Sequence, residues 1–182
     1  GSGMVGVDWR ARLMPVRVLG RCGSGSTVDI VEGMLWAAGG SIPGVPANPT
    51  PARVVNLSIG GPGECTTFEQ DAFDEALSRG ALVVVSAGND NDNADGYSPA
   101  SCYGVSTVVA TDPYGYRASY SNYSAYADIS APGGDSSRYT ESDGVLSTVD
   151  TSTSAPSGNY AYDWKNGTSM AAPHVAGVAA LI

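Results

Sequence analysis

Hydrophobic residues along the chain alternate between two textures, short β-branched runs and segments with apolar positions at helical spacing. Leu13-Met14-Pro15-Val16-Arg17-Val18-Leu19 predicts a strand buried on at least one face. Val28, Val31, Met34, Leu35 and Ala38 then fall on one helical face, with Ser26 or Thr27 available as N-cap and Gly39-Gly40 as the stop. Arg53–Ile59 predicts a second strand. Thr67 and Gln70 form a candidate capping box for a helix carrying Phe68, Ala72, Phe73, Ala76 and Leu77, ended by Gly80. Ala81–Ser86 is apolar almost throughout, as a parallel strand covered on both faces should be. Two successive βαβ crossovers predict a parallel α/β sheet with right-handed connections.

Beyond Asn89 the pattern loosens. Asp90 to Gly96 is a polar turn cluster, read as a solvated loop because it lacks the order and closing glutamate of an EF-hand. Thr107–Ala110 is a further apolar run, and Ser136 to Gly158 is rich in Ser, Thr and Asp with one strand candidate at Val145–Val149. No repeat or linker divides the 182 residues, so a single domain spanning 1–182 is expected. Composition sharpens this: 42% hydrophobic and 15% charged residues, with 24 glycines and 11 prolines, describe an ordered, tightly turned chain. A net charge of -9 argues against nucleic-acid phosphates and anionic lipid as partners. No apolar run has the roughly 20 residues of a membrane span. Gly1-Ser2-Gly3-Met4 opens without the basic and apolar regions of a signal peptide. The three cysteines, Cys22, Cys65 and Cys102, have no zinc-ligand spacing.

The candidate chemistry centres on Asn166-Gly167-Thr168-Ser169-Met170-Ala171-Ala172-Pro173-His174. Ser169 stands at the start of a helix of small residues, where an unpaired backbone N–H and the positive end of the helix dipole suit a developing oxyanion. Gly167 permits close chain approach, and Pro173 is expected in the first turn, where it is tolerated. Asn89, held at a strand end by Gly88, can donate a side-chain amide to the same oxyanion.

Together these segments resemble the subtilase family of serine peptidases, most closely the proteinase K-like and related bacterial secreted enzymes. The serine string, Val54–Gly61 and Val83–Asn89 occur in the family's order, and the likeness continues through Tyr97–Ala100, Tyr120–Tyr123 and Ala131–Gly133. It implies an α/β fold, a three-layer parallel-sheet architecture of the subtilisin type, incomplete at both ends. It also implies a serine endopeptidase with Ser169 as nucleophile and Asn89 as oxyanion donor. Ser58, Ile59, Gly60 and Gly61 would pair with an extended peptide, and the primary specificity pocket would lie between Ser58–Gly60 and Ser86, Ala87 and Gly88. A sizeable apolar or aromatic side chain is expected there, unless the Gly133–Tyr162 loop reshapes the pocket. By the same resemblance Asp128 and the carbonyls of Tyr103 and Val105 could hold a structural Ca²⁺, with a turn-capping Asp128 as the competing reading. Cys65–Cys102 is the preferred disulfide of the three pairings open to three cysteines, leaving Cys22 free or paired elsewhere.

A serine needs a base. The only histidine, His174, lies five residues beyond Ser169, about 140° from its face on a helix. It is expected to be structural. The family's upstream Asp and His motifs do not occur, while Gly3–Val7 resembles the stretch that follows them. The sequence therefore reads as an internal fragment, inactive and poorly soluble alone, of a secreted enzyme that is a monomer when complete. A peptide-binding relative without catalysis is the alternative, which retention of Ser169 and Asn89 disfavours.

Overall fold

The computed structural model describes residues 4–152 and 158–182. In chain order these form α1 (Thr27–Ala37), β1 (Val54–Leu57), β2 (Gly61–Pro62), α2 (Thr67–Ser78), β3 (Leu82–Ser86), β4 (Tyr97–Ser98), β5 (Ser106–Thr111), β6 (Ile129–Pro132), β7 (Val145–Asp150), β8 (Tyr160–Lys165) and α3 (Thr168–Ala179). β1, β3, β5 and β6 make a parallel sheet in the order β1-β3-β5-β6. The pairs β2–β4 and β7–β8 are separate antiparallel ladders.

Three layers follow from the two-residue period of β3. Val83 and Val85 face a core shared with Val31 and Met34 of α1 and Phe73 and Ala76 of α2. Val84 points the other way, into a core with Val108, Ala110, Ala171 and Ala172 that seats α3. All three valines are fully buried, so this strand is covered on both faces as its sequence predicts. Burying each such side chain contributes about 1.5–3 kcal/mol.

α1 begins at Ser26, whose Oγ accepts the Asp29 N–H at 3.1 Å. It stops where Gly39 takes φ 90°. α2 departs from expectation by one residue. Its capping pair is Thr66 and Glu69, with Thr66 N–H donating to Glu69 Oε2 at 2.9 Å and Glu69 N–H to Thr66 Oγ1 at 3.3 Å. Gln70 instead clasps the Tyr103 backbone: Tyr103 N–H donates to its Oε1 at 2.8 Å, and its Nε2 donates to the Tyr103 carbonyl at 3.1 Å. Cys65, just before α2, is disulfide-bonded to Cys102, while Cys22 is free and exposed.

The strand expected at Leu13–Leu19 is absent: that segment is in no ladder. Among the described residues β1 pairs on one side only, with β3. Between the free side of β1 and Leu13–Leu19 lies an apolar cleft of about 1470 Å³, bounded also by α1 and α3. The segment thus lines a gap instead of lying against a strand, and only the second of the two expected crossovers, β1-α2-β3, is formed. The expected Val145–Val149 strand is present as β7, whereas β6 and β8 were not anticipated.

Candidate active site

α3 starts abruptly after Gly167, whose φ of 149° favours a residue without Cβ. The Gly167 N–H donates to the Gly133 carbonyl at 3.0 Å and to Tyr120 Oη at 2.8 Å. The Tyr120 hydroxyl reaches the Gly133 and Gly134 carbonyls at 2.8 and 2.7 Å, so one phenol ties the turn before the serine to the loop after β6. Burial pushes this phenol up to about 12; the Gly167 N–H opposes that shift and Asp135 adds to it. Asp135 itself is fully buried. Burial pushes its carboxyl up, but the Ser119 N–H, the Ser137 and Ser119 hydroxyls and Arg138 outweigh this and hold it below the usual aspartate value.

Ser169 is the second residue of α3, and no described acceptor takes its backbone N–H. Its hydroxyl donates to the Ser58 carbonyl at 3.2 Å. Pro173 lies in the second turn of α3, not the first as expected. It removes the N–H that would bond the Ser169 carbonyl four residues earlier. Ser58 Oγ donates to that carbonyl instead, at 2.8 Å.

Asn89 follows β3 and faces the same helix start. Its Oδ1 accepts both the Thr168 N–H at 2.8 Å and the Thr168 hydroxyl at 2.9 Å. A backbone N–H can only donate, so the oxygen must be the atom on that side, and the amide Nδ2 is turned away, with no described residue accepting from it. Two donors thus flank Thr168: the amide it orients, and the N–H of the residue that follows it.

The other expected substrate residues divide. Ser58 touches Ser169 as described, and no described residue bonds the backbone of Ile59 or Gly60. Gly60 lies so close to the Ser98 carbonyl, 2.9 Å from where a Cβ would be, that a side chain would have to displace it. Gly61 pairs with Ser98 in the β2–β4 ladder. Ser86 and Ala87 are buried, with the Ala87 N–H on the Val108 carbonyl at 3.0 Å and its carbonyl on Asn122 Nδ2 at 3.0 Å. Gly88 N–H donates to Thr168 Oγ1 at 3.2 Å.

His174 Nδ1 is 2.8 Å from the Met170 carbonyl of its own helix, so it is engaged there. Asp128 Oδ2 accepts the Thr107 N–H at 2.8 Å, and no described residue donates to its Oδ1. The Tyr103 carbonyl already accepts from Gln70. No group of three or more His, Cys, Asp or Glu gathers among the described residues. Thr168 and Tyr120 went unnoticed as structural parts of the site, although both lie inside the quoted motifs. Their partners are 79 and 47 residues away, a distance that motif spacing does not encode.

A model of the Subtilase family matches residues 1–182. The chain belongs to the subtilase family. Among relatives of this subtilase chain, an extracellular protease of Xanthomonas campestris is 48% identical over 181 residues, covering 100% of this chain and 29% of the relative. An extracellular basic protease of Dichelobacter nodosus is 48% identical, covering 100% and 28%. A solved protease structure from Pseudoalteromonas arctica matches with a TM-score of 0.92 and 52% identity, over 97% of this chain and 51% of that one. The subtilase chain therefore spans under a third of those two curated relatives and about half of the solved one. No described helix is long and apolar enough to cross a membrane.

Proposed function

We propose that this chain carries the nucleophile, oxyanion and peptide-binding portion of an extracellular serine endopeptidase that cleaves extended polypeptides. The observation that carries the reading is the pair of free donors at the start of α3: the Ser169 N–H and the Asn89 amide, oriented by Thr168. The first belongs to α3 and the second is held by its two bonds from Thr168, so both are in place before charge develops on a substrate oxygen. The unpaired backbone of Ile59 and Gly60 beside Ser58 suits an added peptide strand. Ser169 would add to the carbonyl as a base takes its hydroxyl proton, and the oxyanion would rest on the two donors. The amine would leave with that proton, and water would then hydrolyse the acyl ester on Ser169. His174 is engaged on its own helix and on the wrong face, so the base comes from chain beyond these 182 residues. We assign that chain to the apolar cleft beside the free edge of β1. The Xanthomonas and Dichelobacter relatives are extracellular proteases, which supports an extracellular location.

The test is a fluorophosphonate label applied to the whole protein that contains these residues. Labelling is expected on Ser169 and is expected to vanish in Ser169→Ala. Labelling that survives that change, or peptide binding with no labelling at all, would hand the site to a non-catalytic binding role.

We also propose a structural Ca²⁺ at Asp128. Its open Oδ1 and the carbonyls of Tyr103 and Val105 are hard oxygen donors, and water would complete the six to eight ligands the ion takes. Chelation should then lower the melting temperature, and Asp128→Asn should abolish that response.

A further inference from the structure

Asn122 is fully buried in the turn between β5 and β6, far along the chain from Asn89. Its side-chain oxygen accepts the N–H of Asp90 at 2.8 Å and of Asp92 at 3.1 Å. Its Nδ2 donates to the Ala87 carbonyl at 3.0 Å, and its backbone N–H donates to the Gly88 carbonyl at 2.9 Å. Every one of these partners flanks Asn89, two before it and two after it. The neighbours of Asn122 complete the mould: Asn91 N–H donates to the Tyr120 carbonyl at 2.8 Å, and Tyr123 N–H to the Asp92 carbonyl at 3.0 Å. Gly88, at φ 106°, packs so closely on the Asn122 amide that a Cβ there would overlap it. The Ala87–Asp92 loop belongs to no sheet or helix, so this single amide supplies much of what fixes its path.

We infer that Asn122 is a positioning residue for the oxyanion donor, clamping the backbone on both sides of Asn89 and so setting where its amide is held. The inference rests on the reading of Asn89 as that donor. Only a carboxamide meets the three side-chain demands. Asp has the two acceptor bonds but cannot donate to Ala87, and an aliphatic side chain meets none of them. Thr168 fixes the rotation of the Asn89 amide, while Asn122 fixes the backbone from which it projects. Catalytic groups need placing within about 0.5 Å, and a 1 Å error can cost about 100-fold in rate.

The test is a double-mutant cycle in the whole protein that carries these residues, with kcat and KM measured separately on a peptide substrate. Asn122→Ala should lower kcat by about 10- to 100-fold with KM within about twofold. In an Asn89→Ala background, where the donor is already gone, the same change should cost no more than about twofold. Asn122→Asp keeps both acceptor bonds and should lose less. It runs the same cycle should the alanine variant not fold. Affinity for a peptide boronate, which forms a tetrahedral adduct on the serine, should fall in parallel with kcat. Losses that multiply in the double variant, or wild-type kcat in Asn122→Ala, overturn the inference while leaving Asn89 its role. An unchanged kcat in Asn89→Ala overturns the oxyanion reading and this inference with it.

Discussion

Pro173 deprives the Ser169 carbonyl of its helical partner, and the Ser58 hydroxyl takes that partner's place. Ser58→Ala should therefore destabilise the fold by about 1–3 kcal/mol, the cost of an unmet carbonyl, as measured by denaturant unfolding. The backbone bond from Ser169 Oγ to the Ser58 carbonyl is untouched by that change. Asn89→Ala should lower kcat of the whole enzyme by about 10²–10³, with KM little altered. Ser169, Asn89 and Ser58 were singled out because each sits in an ordered motif, and the fold brings all three to the start of α3. Their supports were not. Thr168 and Asn122 act by contacting groups far away in sequence, and a single chain carries no pattern for such contacts.

Helices declared themselves through their apolar faces, with the α2 cap one residue from where it was expected, and strands less evenly. β3 was legible because both of its faces are buried and its sequence is continuously apolar. β6 was missed because its exposed, Ser- and Pro-containing sequence lacks that signature. β8 was missed because Tyr160, Tyr162 and Trp164 stand exposed on a ladder outside the central sheet. Leu13–Leu19 shows the converse, a strand pattern with no strand beside it. At this scale the α2 start offers a clean check. Thr66→Ala should cost about 1 kcal/mol by removing the capping box, and the m-value should stay unchanged. Opening the Cys65–Cys102 bond, which spans 37 residues, should cost about 4 kcal/mol on the chain-entropy account. Comparing thermal melts with and without reductant reads that directly.

A half-buried phenol and a buried carboxyl each make the stability of the whole molecule depend on pH. Tyr120 has its folded value raised to about 12. Its contribution is complete below the ordinary tyrosine value near 10 and is lost as pH rises through about 12. Asp135 has its folded value lowered, so its contribution is present above the ordinary aspartate value and lost as pH falls through the depressed one. Tyr120→Phe should make the alkaline limb of a stability-against-pH profile less steep and leave the acid limb alone. The two serines at the centre of the site span this whole architecture, since they lie 111 residues apart and exchange two hydrogen bonds. One bond holds α3 to the residue that follows β1, and the other sets the Ser169 hydroxyl on that residue's carbonyl. On the proposed function, the backbone that would align a peptide is the same backbone that holds the Ser169 hydroxyl. A shift of either would carry the other along, and on that reading the distance from Ser169 Oγ to a scissile bond is built into the scaffold before any peptide arrives.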